Sequence, residues 1–230
     1  MNIIWLGHGS FRIETGDLVL LIDPWLTGNP MLAEDQHEAA VEGATHIILT
    51  HAHFDHVIDV LSLCRKLNVP AVGQYDIMGY WNEVEKIETV GFNKGGTVDL
   101  GGATLSMVTA QHSSTFATED GLRTGGSEVG YMLSAEGRTI YISGDTDIMA
   151  DMEWFADYYK PDIGIMSAGG HFTMDMAKVA YAANRYFEFK TLIPCHYRTF
   201  PILEQSADAL AKALPEVDVI EPQVLQPIAL

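Results

Sequence analysis

The densest group of chemically versatile side chains in this sequence is a histidine-rich segment at residues 50–56. It reads THAHFDH and carries His51, His53, Asp55 and His56. An extended backbone would point His51 and His53 in the same direction, and Asp55 and His56 would fall on the first turn of a following helix. Imidazole and carboxylate groups in this number suit zinc, iron or manganese. Three buried imidazoles without a metal would be poorly satisfied, so the spacing predicts a metal site.

Three further potential ligands follow apolar, strand-like runs. Such runs end just before His112, Asp145 and His196. Strand ends on one edge of a sheet layer converge in space, and α/β proteins commonly build their sites there. A single strand-end histidine or aspartate would be weak support, but four such groups in one chain predict a common site.

The elements that must position these residues are short β-branched runs alternating with amphipathic segments, a pattern that favours α/β layering. Residues 97–100 form a further short strand between two glycine pairs, and Glu136-Gly137 predicts a hairpin turn. The other strand-like runs cover residues 3–6, 18–22, 46–49, 104–108, 129–133, 139–142, 163–166 and 192–193.

Three segments have the spacing of amphipathic helices. The first begins at Asp55 or His56 and ends before Pro70, and the others cover residues 173–187 and 206–214. Two long stretches, residues 25–43 and 113–127, lack regular signals. Loops of this length in a compact domain are usually lids or binding loops.

Composition limits the classes of function. The 230 residues suit one α/β domain, residues 1–230, and 47% hydrophobic residues exclude a disordered or fibrous protein. Thirty-one acidic residues against 13 Lys and Arg give a net charge of −18, which disfavours nucleic acid and anionic membranes as partners. Two cysteines, no secretory leader and no apolar run of about 20 residues predict a soluble cytoplasmic protein.

The histidine-rich segment, followed in order by His112, Asp145 and His196, resembles the metallo-β-lactamase superfamily. Three flanking stretches, residues 7–11, 23–30 and 196–201, are similar to a small "metal-dependent hydrolase" family related to the ascorbate-6-phosphate lactonases. The likeness covers nearly the whole chain, from His8 to Pro201.

This resemblance implies a four-layer αββα sandwich with a two-metal site at one edge. It implies two divalent ions, zinc first, with manganese, iron or nickel as alternatives. Carried over position by position, it places His51, His53 and His112 on the first ion, Asp55, His56 and His196 on the second, and Asp145 between the two.

The sequence departs from its relatives at two places. Ile58 stands where the superfamily usually has glycine, although Asp59 suits the narrower family. Gly169-Gly170-His171 stands before Phe-Thr-Met where relatives commonly have Asp-Asn. His171 could therefore supply a ligand or proton donor that relatives lack.

The resemblance predicts a hydrolase in which a metal-bridging hydroxide attacks an ester-type bond in a small molecule, most simply a lactone or cyclic ester. Asp55 is the candidate that orients the attacking water, and His8 and His171 are candidate proton donors or substrate ligands. Arg198, two residues after a predicted ligand, is the best-placed cation for an anionic substrate. Asp23, just past an apolar strand, is expected to orient a ligand histidine.

Other classes of function remain open. A phosphodiesterase or nuclease on the same fold is the main alternative, although the acidic charge and the lack of an Arg/Lys group oppose a nuclease. A non-catalytic metal-binding module should have lost some of the seven ligands. An oxygen-reducing di-iron protein typically has Glu at the position of His53 and a separate flavin domain. Leu- and Met-rich segments leave room for a homo-oligomer.

Overall fold

Two seven-stranded β-sheets pack face to face, and helices cover their outer faces. The computed structural model describes residues 1–118 and 121–230. Large apolar side chains from both sheets, among them Trp5, Phe11 and Tyr131, fill the space between the sheets. The arrangement is the αββα sandwich that the resemblance implies.

The first sheet is built mainly from the N-terminal half of the chain. Its strand order is β16-β1-β2-β3-β4-β5-β6, antiparallel from β16 to β3 and parallel from β3 to β6. The strands are β1 (Asn2–Gly7), β2 (Ser10–Thr15), β3 (Leu18–Ile22), β4 (His46–Ile48), β5 (Ala71–Gln74), β6 (Thr89–Phe92) and β16 (Pro227–Ala229).

The second sheet has the order β15-β14-β13-β12-β11-β8-β7, and a separate hairpin pairs β9 with β10. Strands β12 to β15 are parallel, and β7, β8 and β11 are antiparallel to their neighbours. These strands are β7 (Thr97–Asp99), β8 (Thr104–Thr109), β9 (Thr115–Thr118), β10 (Gly121–Thr124), β11 (Val129–Ala135), β12 (Arg138–Ile142), β13 (Ile163–Ser167), β14 (Thr191–Cys195) and β15 (Asp218–Val219).

The helices cover the two outer faces of the sandwich. A second apolar core, containing Val60, Leu63 and Trp81, packs the early helices against the first sheet. Buried residues of the later helices, such as Phe155 and Val179, extend the main core on the second sheet. The helices are α1 (His37–Val41), α2 (Phe54–Val57), α3 (Val60–Leu67), α4 (Tyr75–Tyr80), α5 (Met152–Tyr159), α6 (Met176–Tyr186) and α7 (Asp208–Ala213), with a 3₁₀ turn at Glu34–Gln36 and a π-helical turn at Trp81–Glu85.

Strand direction places the predicted ligands at one edge. Strands β1, β3 and β4 run the same way, because β2 is antiparallel to both β1 and β3 while β4 is parallel to β3. By the same reasoning β8, β12 and β14 share one direction in the second sheet. Each of these six strands is followed by a residue that the sequence analysis singles out, and these residues meet at one edge of the sandwich.

The observed elements correct several sequence predictions. The helix expected from Asp55 or His56 to residue 67 is two helices, α2 and α3, separated at Ile58 and Asp59. Asp59 accepts hydrogen bonds from the backbone N–H groups of Leu26 and Thr27, so its side chain holds a loop. The helix expected over residues 206–214 is shorter, since α7 covers Asp208–Ala213.

The two stretches without regular signals also contain structure. Residues 25–43 include α1, and residues 113–127 include the β9–β10 hairpin. Sequence patterns also missed β2, β5, β6, β15, β16, α4 and α5. The turn at Glu136-Gly137 is confirmed: both residues have positive φ, and they connect β11 to the antiparallel β12.

No helix among the described residues has the length and apolar character needed to cross a membrane.

Candidate metal centre

Four of the other six predicted metal ligands have a ring nitrogen within 4 Å of Asp145. The Oδ2 atom of Asp145 is 3.0 Å from Nε2 of His196 and 3.5 Å from Nε2 of His56. The same oxygen is 3.7 Å from Nε2 of His112 and 3.9 Å from Nε2 of His51. Asp145 is 3% exposed and therefore faces four imidazoles without competing water.

The first donor group consists of His51, His53 and His112. One ring nitrogen from each lies within 4.8 Å of the others. Nε2 of His51 is 3.1 Å from Nδ1 of His53, a spacing that follows from their positions two residues apart on an extended segment. His112 is fixed at the end of β8, where its backbone N–H donates a 3.0 Å hydrogen bond to Glu128.

The second donor group consists of Asp55, His56 and His196, and His8 lies with them. One potential ligand atom from each of these four residues lies within 4.8 Å of the others. Oδ2 of Asp55 is 3.4 Å from Nε2 of His196 and 3.6 Å from Nε2 of His56. All four side chains are buried.

Asp23 and Thr50 contact the Nδ1 atoms of His56 and His51, respectively. One carboxylate oxygen of Asp23 is 2.8 Å from Nδ1 of His56, and the other accepts a 2.7 Å hydrogen bond from the Thr50 backbone N–H. The Thr50 hydroxyl also lies 3.0 Å from Nδ1 of His51. These contacts leave the Nε2 atoms of His51 and His56 directed at Asp145. Asp23 thus occupies the place of a residue that orients a ligand histidine.

His8 contacts the metal-ligand candidate Asp55 and does not line the cavity. Its Nε2 is 2.8 Å from Oδ2 of Asp55, and its Nδ1 is 2.7 Å from the Thr199 hydroxyl. Burial, together with the nearby His196, lowers the pKa of His8 to about 4, so the ring is neutral near pH 7. A neutral ring has one N–H, and the carboxylate needs a donor, so Nε2 donates to Asp55 and Nδ1 accepts from Thr199. This placement favours a positioning role over the proton-donor role considered from sequence.

The pKa values of the histidines shift in opposite directions in the two donor groups. Burial lowers the pKa values of His51, His53 and His112, which leaves neutral rings with lone pairs available. Burial alone would also lower the pKa of His56 and His196, but nearby carboxylates outweigh it. Asp145, Asp55 and Asp23 raise the pKa of His56, and Asp145 and Asp55 raise that of His196 to about 9.

The donor set fits a bound metal. Nε2 of His56 is buried and has no hydrogen-bond partner among the described residues, which is costly for a polar nitrogen unless a ligand completes it. Nitrogen and carboxylate donors in this combination suit zinc and other first-row divalent ions. The donors form two groups of three near Asp145.

A large cavity opens directly onto this cluster. Its volume is about 1250 Å³, and His53, Asp55, His112, Asp145 and His196 line its floor. Its walls are mainly apolar and aromatic. They are formed by Phe54, Val57, Ile58, Leu61, Tyr80, Trp81, Phe116, Leu122, Phe172, Phe200 and Ile202.

Arg198 and His171 lie outside the set of residues that line this cavity. Arg198 forms a 2.7 Å ion pair with Glu221 and lies over the rings of Trp5 and Tyr197, so its guanidinium is held elsewhere. His171 is exposed and lines a separate surface depression. The sequence prediction placed both residues at the substrate, and this placement does not support it.

Several residues at the site carry no signal that sequence reasoning could have used. Thr199 holds His8 from 191 positions away along the chain. The Ser113 hydroxyl is 3.2 Å from Nε2 of His53, and the Ser114 hydroxyl accepts a hydrogen bond from the Ala52 backbone N–H. Arg123, one of the few cations that the sequence offers to an anionic substrate, lines the cavity, whereas Arg198 does not belong to the described lining. Single Ser and Thr residues in loops and short strands have no spacing that marks them.

Comparison with known proteins agrees with this geometry. Residues 19–197 match the family model of the beta-lactamase superfamily domain. The chain is 75% identical over 228 residues to a UPF0173 metal-dependent hydrolase of Ruegeria pomeroyi, with 99% of each chain covered. It is 70% identical over 230 residues to a UPF0173 metal-dependent hydrolase of a second Ruegeria strain, with both chains covered completely.

Solved structures share the fold at lower identity. The metallo hydrolase Igni18 from Ignicoccus hospitalis superposes with a TM-score of 0.84 at 24% identity, covering 99% of this chain and 97% of its own. An isothiocyanate hydrolase from Delia radicum gut bacteria superposes with a TM-score of 0.78 at 17% identity, covering 100% and 99%. Together with the match over residues 19–197 and the identity to the Ruegeria proteins, this places the chain in the metallo-β-lactamase superfamily, as a member of the UPF0173 family of metal-dependent hydrolases.

Proposed function

We propose that this protein hydrolyses an ester-type bond in a small molecule, a lactone or another cyclic ester, at a centre of two divalent ions. The observation that carries the proposal is the meeting of two donor groups at Asp145, on the floor of an open cavity. The bond type is supported by the resemblance to the ascorbate-6-phosphate lactonases, and the metal-dependent hydrolysis by the UPF0173 relatives.

The residues fall into two sets of ligands. His51, His53 and His112 would hold one ion, Asp55, His56 and His196 would hold the other, and Asp145 would contact both. Zinc fits this donor set best, and manganese, iron and nickel are the alternatives. Such ions, when bound, lower the pKa of water and polarise the oxygen of the bond that is cleaved.

The chain itself supplies orientation and a dry environment. The carboxylate of Asp55 lines the cavity, and the hydrogen bond from His8 fixes one of its oxygens. Burial alone would raise the pKa of Asp55, but His56, His196 and His8 hold it below its ordinary value, so Asp55 is ionised near pH 7. An ionised carboxylate at this place accepts a hydrogen bond from the attacking water and so fixes its direction. A substrate that fills the cavity between the aromatic walls would displace bulk water from the reacting groups.

The same geometry supports a small-molecule substrate more strongly than nucleic acid. Among the described residues that line the cavity, Arg123 is the one Lys or Arg side chain, whereas nucleic-acid sites carry many. The net charge of −18 also repels a phosphate backbone. The proposed setting is the cytoplasm, which the acidic composition and the two unpaired cysteines suit.

Metal content measured with hydrolysis tests this proposal. We expect the purified protein to contain about two equivalents of metal per chain by elemental analysis. It should open γ-butyrolactone faster than it cleaves bis(p-nitrophenyl) phosphate. Asp145→Ala and His196→Ala should lose both metal and activity, because each removes a ligand.

His171→Ala is the matched control for metal content, since it removes an exposed histidine outside both donor groups. A chain that binds no zinc, manganese or iron after reconstitution would contradict the metal assignment. A metal-loaded chain that cleaves the phosphodiester and not the lactone would favour the phosphodiesterase alternative.

A further inference from the structure

The cavity beside the metal centre is larger and more apolar than hydrolysis of a small polar ring requires. Its volume of about 1250 Å³ exceeds the roughly 300–1,000 Å³ that is usual for small-molecule sites. Polar ligand residues occupy only its floor. A compact, charged substrate would leave most of the apolar wall in contact with water.

Exposed apolar side chains are concentrated in this cavity. Among the described residues, ten large hydrophobic side chains are exposed, and five of them line it. These five are Phe54, Ile58, Leu122, Phe172 and Ile202. Leu122 is 78% exposed, a costly placement for leucine unless a ligand covers it.

Two parts of the chain supply much of the apolar lining of the cavity. Helices α2 and α3 contribute Phe54 and Leu61, Ile58 lies between these helices, and the β9–β10 hairpin contributes Phe116 and Leu122. Ile58 is 51% exposed and adds a branched apolar side chain to this lining. These side chains and the metal-ligand candidates line one cavity, which we call the channel.

The channel continues beyond the metal centre. A second cavity of about 340 Å³ shares Tyr80, Phe116 and Arg123 with the first. The rings of Tyr80 and Phe116 are 6.2 Å apart, and Trp81 lines the same end. Near His196 the walls are Phe172 and Phe200 instead. An unbranched chain attached to the reacting group could therefore lie along aromatic surface.

We infer that the substrate is a neutral ester or lactone that carries an unbranched alkyl or acyl chain, and that this chain lies in the channel between α2–α3 and the hairpin. The inference rests on the proposed function for the bond that is cleaved. The alkyl or acyl chain of the substrate is inferred from the channel alone. Away from the metal-ligand candidates, the charged side chains among the described lining residues are Glu85 and Arg123, one of each sign, and the rest of the wall is mainly apolar, which favours an uncharged chain.

A series of lactones with the same ring tests this substrate class. The compounds are γ-butyrolactone, γ-octalactone and γ-dodecalactone, assayed with the metal-loaded protein. We expect kcat/KM to rise with chain length by up to about fourfold for each methylene that becomes fully buried. In Leu122→Asp and Ile202→Asp the ratio of long-chain to short-chain kcat/KM should fall at least tenfold, an order-of-magnitude expectation for loss of two buried methylenes.

Tyr158→Asp is the matched control, because Tyr158 is 76% exposed and lies on α5, outside the cavity lining. It should leave the ratio at the wild-type value. Two channel variants, Leu122→Asp and Ile202→Asp, are used so that the test can still be made if either of them fails to fold. A ratio near one in the wild type, or an equal fall in Tyr158→Asp, would overturn the inference.

A binding measurement separates the channel from the chemistry. Calorimetric titration with butanol, hexanol and octanol should give dissociation constants that tighten with length in the wild type and not in Leu122→Asp. Binding that tightens with alcohol length, in a protein that opens none of the lactones, would support the channel and contradict the proposed hydrolysis of a lactone. Lactone opening without length dependence in either assay would overturn the channel and leave the proposed function standing. If the dissociation constants of the alcohols do not change with length and the protein sediments as a dimer, the channel inference would be overturned. The apolar surface would then be assigned to contact with a second copy of the protein.

Discussion

Three residues around the metal centre have strained backbone conformations. His8, Asp23 and His196 have φ values of 53°, 45° and 58°, in the left-handed region that non-glycine residues rarely adopt. Such conformations cost about 1–3 kcal/mol each and persist where surrounding structure fixes them. Here the backbone N–H of His196 donates a 2.9 Å hydrogen bond to the His8 carbonyl, which also accepts from the Trp5 indole. These hydrogen bonds fix the backbone that places the imidazoles of His8 and His196 beside Asp55.

Replacing His8 should weaken metal binding without removing a predicted ligand. His8→Ala takes away the donor that fixes Asp55, and loss of such a partner typically lowers metal affinity about 10–100-fold. Competition with a chromophoric chelator measures the affinity. Thr199→Val, which removes only the support of His8, should show a smaller effect in the same direction. An unchanged affinity in His8→Ala would contradict the positioning role.

Metal uptake should release protons near neutral pH. Carboxylates raise the pKa of His196 to about 9 and that of His56 well above its ordinary value, so both rings are protonated in metal-free protein at about pH 7. A cation must displace these protons, and the number released should fall as the pH rises through the pKa of His196. Calorimetry in two buffers of different ionisation enthalpy counts them.

The same titration at higher pH is the reference for this count, because fewer protons should be released once His196 has lost its proton before the metal binds. A binding enthalpy that is the same in both buffers near pH 7 would show that the rings are neutral before the metal binds.

At the level of elements, close packing between strand ends determines where His196 can lie. Gly169 follows β13 and His196 follows the neighbouring β14. A Cβ atom on Gly169 would lie 2.2 Å from the His196 backbone oxygen, a distance that real atoms do not reach. The position therefore requires glycine because of close approach, since its φ is not in the left-handed region.

A pair of Gly→Ala substitutions tests this packing. Gly169→Ala should destabilise the fold by about 1–3 kcal/mol and lower metal affinity, because the backbone of His196 must move. Gly79→Ala is the control: Gly79 lies in α4 with nothing within 4 Å of its added Cβ, and alanine there should stabilise by up to about 1 kcal/mol. Thermal unfolding and chelator competition measure both. Equal Tm values for the two variants would contradict the assignment.

At the scale of the whole molecule, the metal centre joins the two sheets. His51, Asp55 and His56 follow β4 of the first sheet, while Asp145 and His196 follow β12 and β14 of the second. A bound cation therefore links both halves of the sandwich, and the unfolded chain offers no comparable site. A metal that binds only the native state stabilises it, and at high metal concentration the gain rises with the logarithm of the ratio of free metal to Kd.

Removing the metal should accordingly lower thermal stability. At metal concentrations about 1,000-fold above Kd the contribution is about 4 kcal/mol, which corresponds to a Tm decrease on the order of 10 °C for a chain of this size. Differential scanning calorimetry with and without EDTA measures the decrease. Asp145→Ala, which lacks the shared ligand, should respond little to EDTA. An identical Tm for wild type with and without the chelator would contradict a metal that links the sheets.

The sequence by itself determined the α/β layering, the turn at Glu136-Gly137 and the residues that could bind metal, because these depend on local periodicity and on a specific motif. The αββα class followed from the family resemblance that this motif carries. Within the helix predicted over residues 173–187, α6 begins at Met176, and the side chain of the N-cap residue Asp175 accepts a hydrogen bond from the Lys178 backbone N–H.

Only the tertiary structure decided which side chains surround those ligands. His8 meets Asp55 across 47 residues of sequence, Arg198 pairs with Glu221, and strands β9 and β10 contribute Phe116 and Leu122 to the lining of the channel. Such contacts depend on how two sheets and their loops pack, and no local pattern encodes the choice among competing partners.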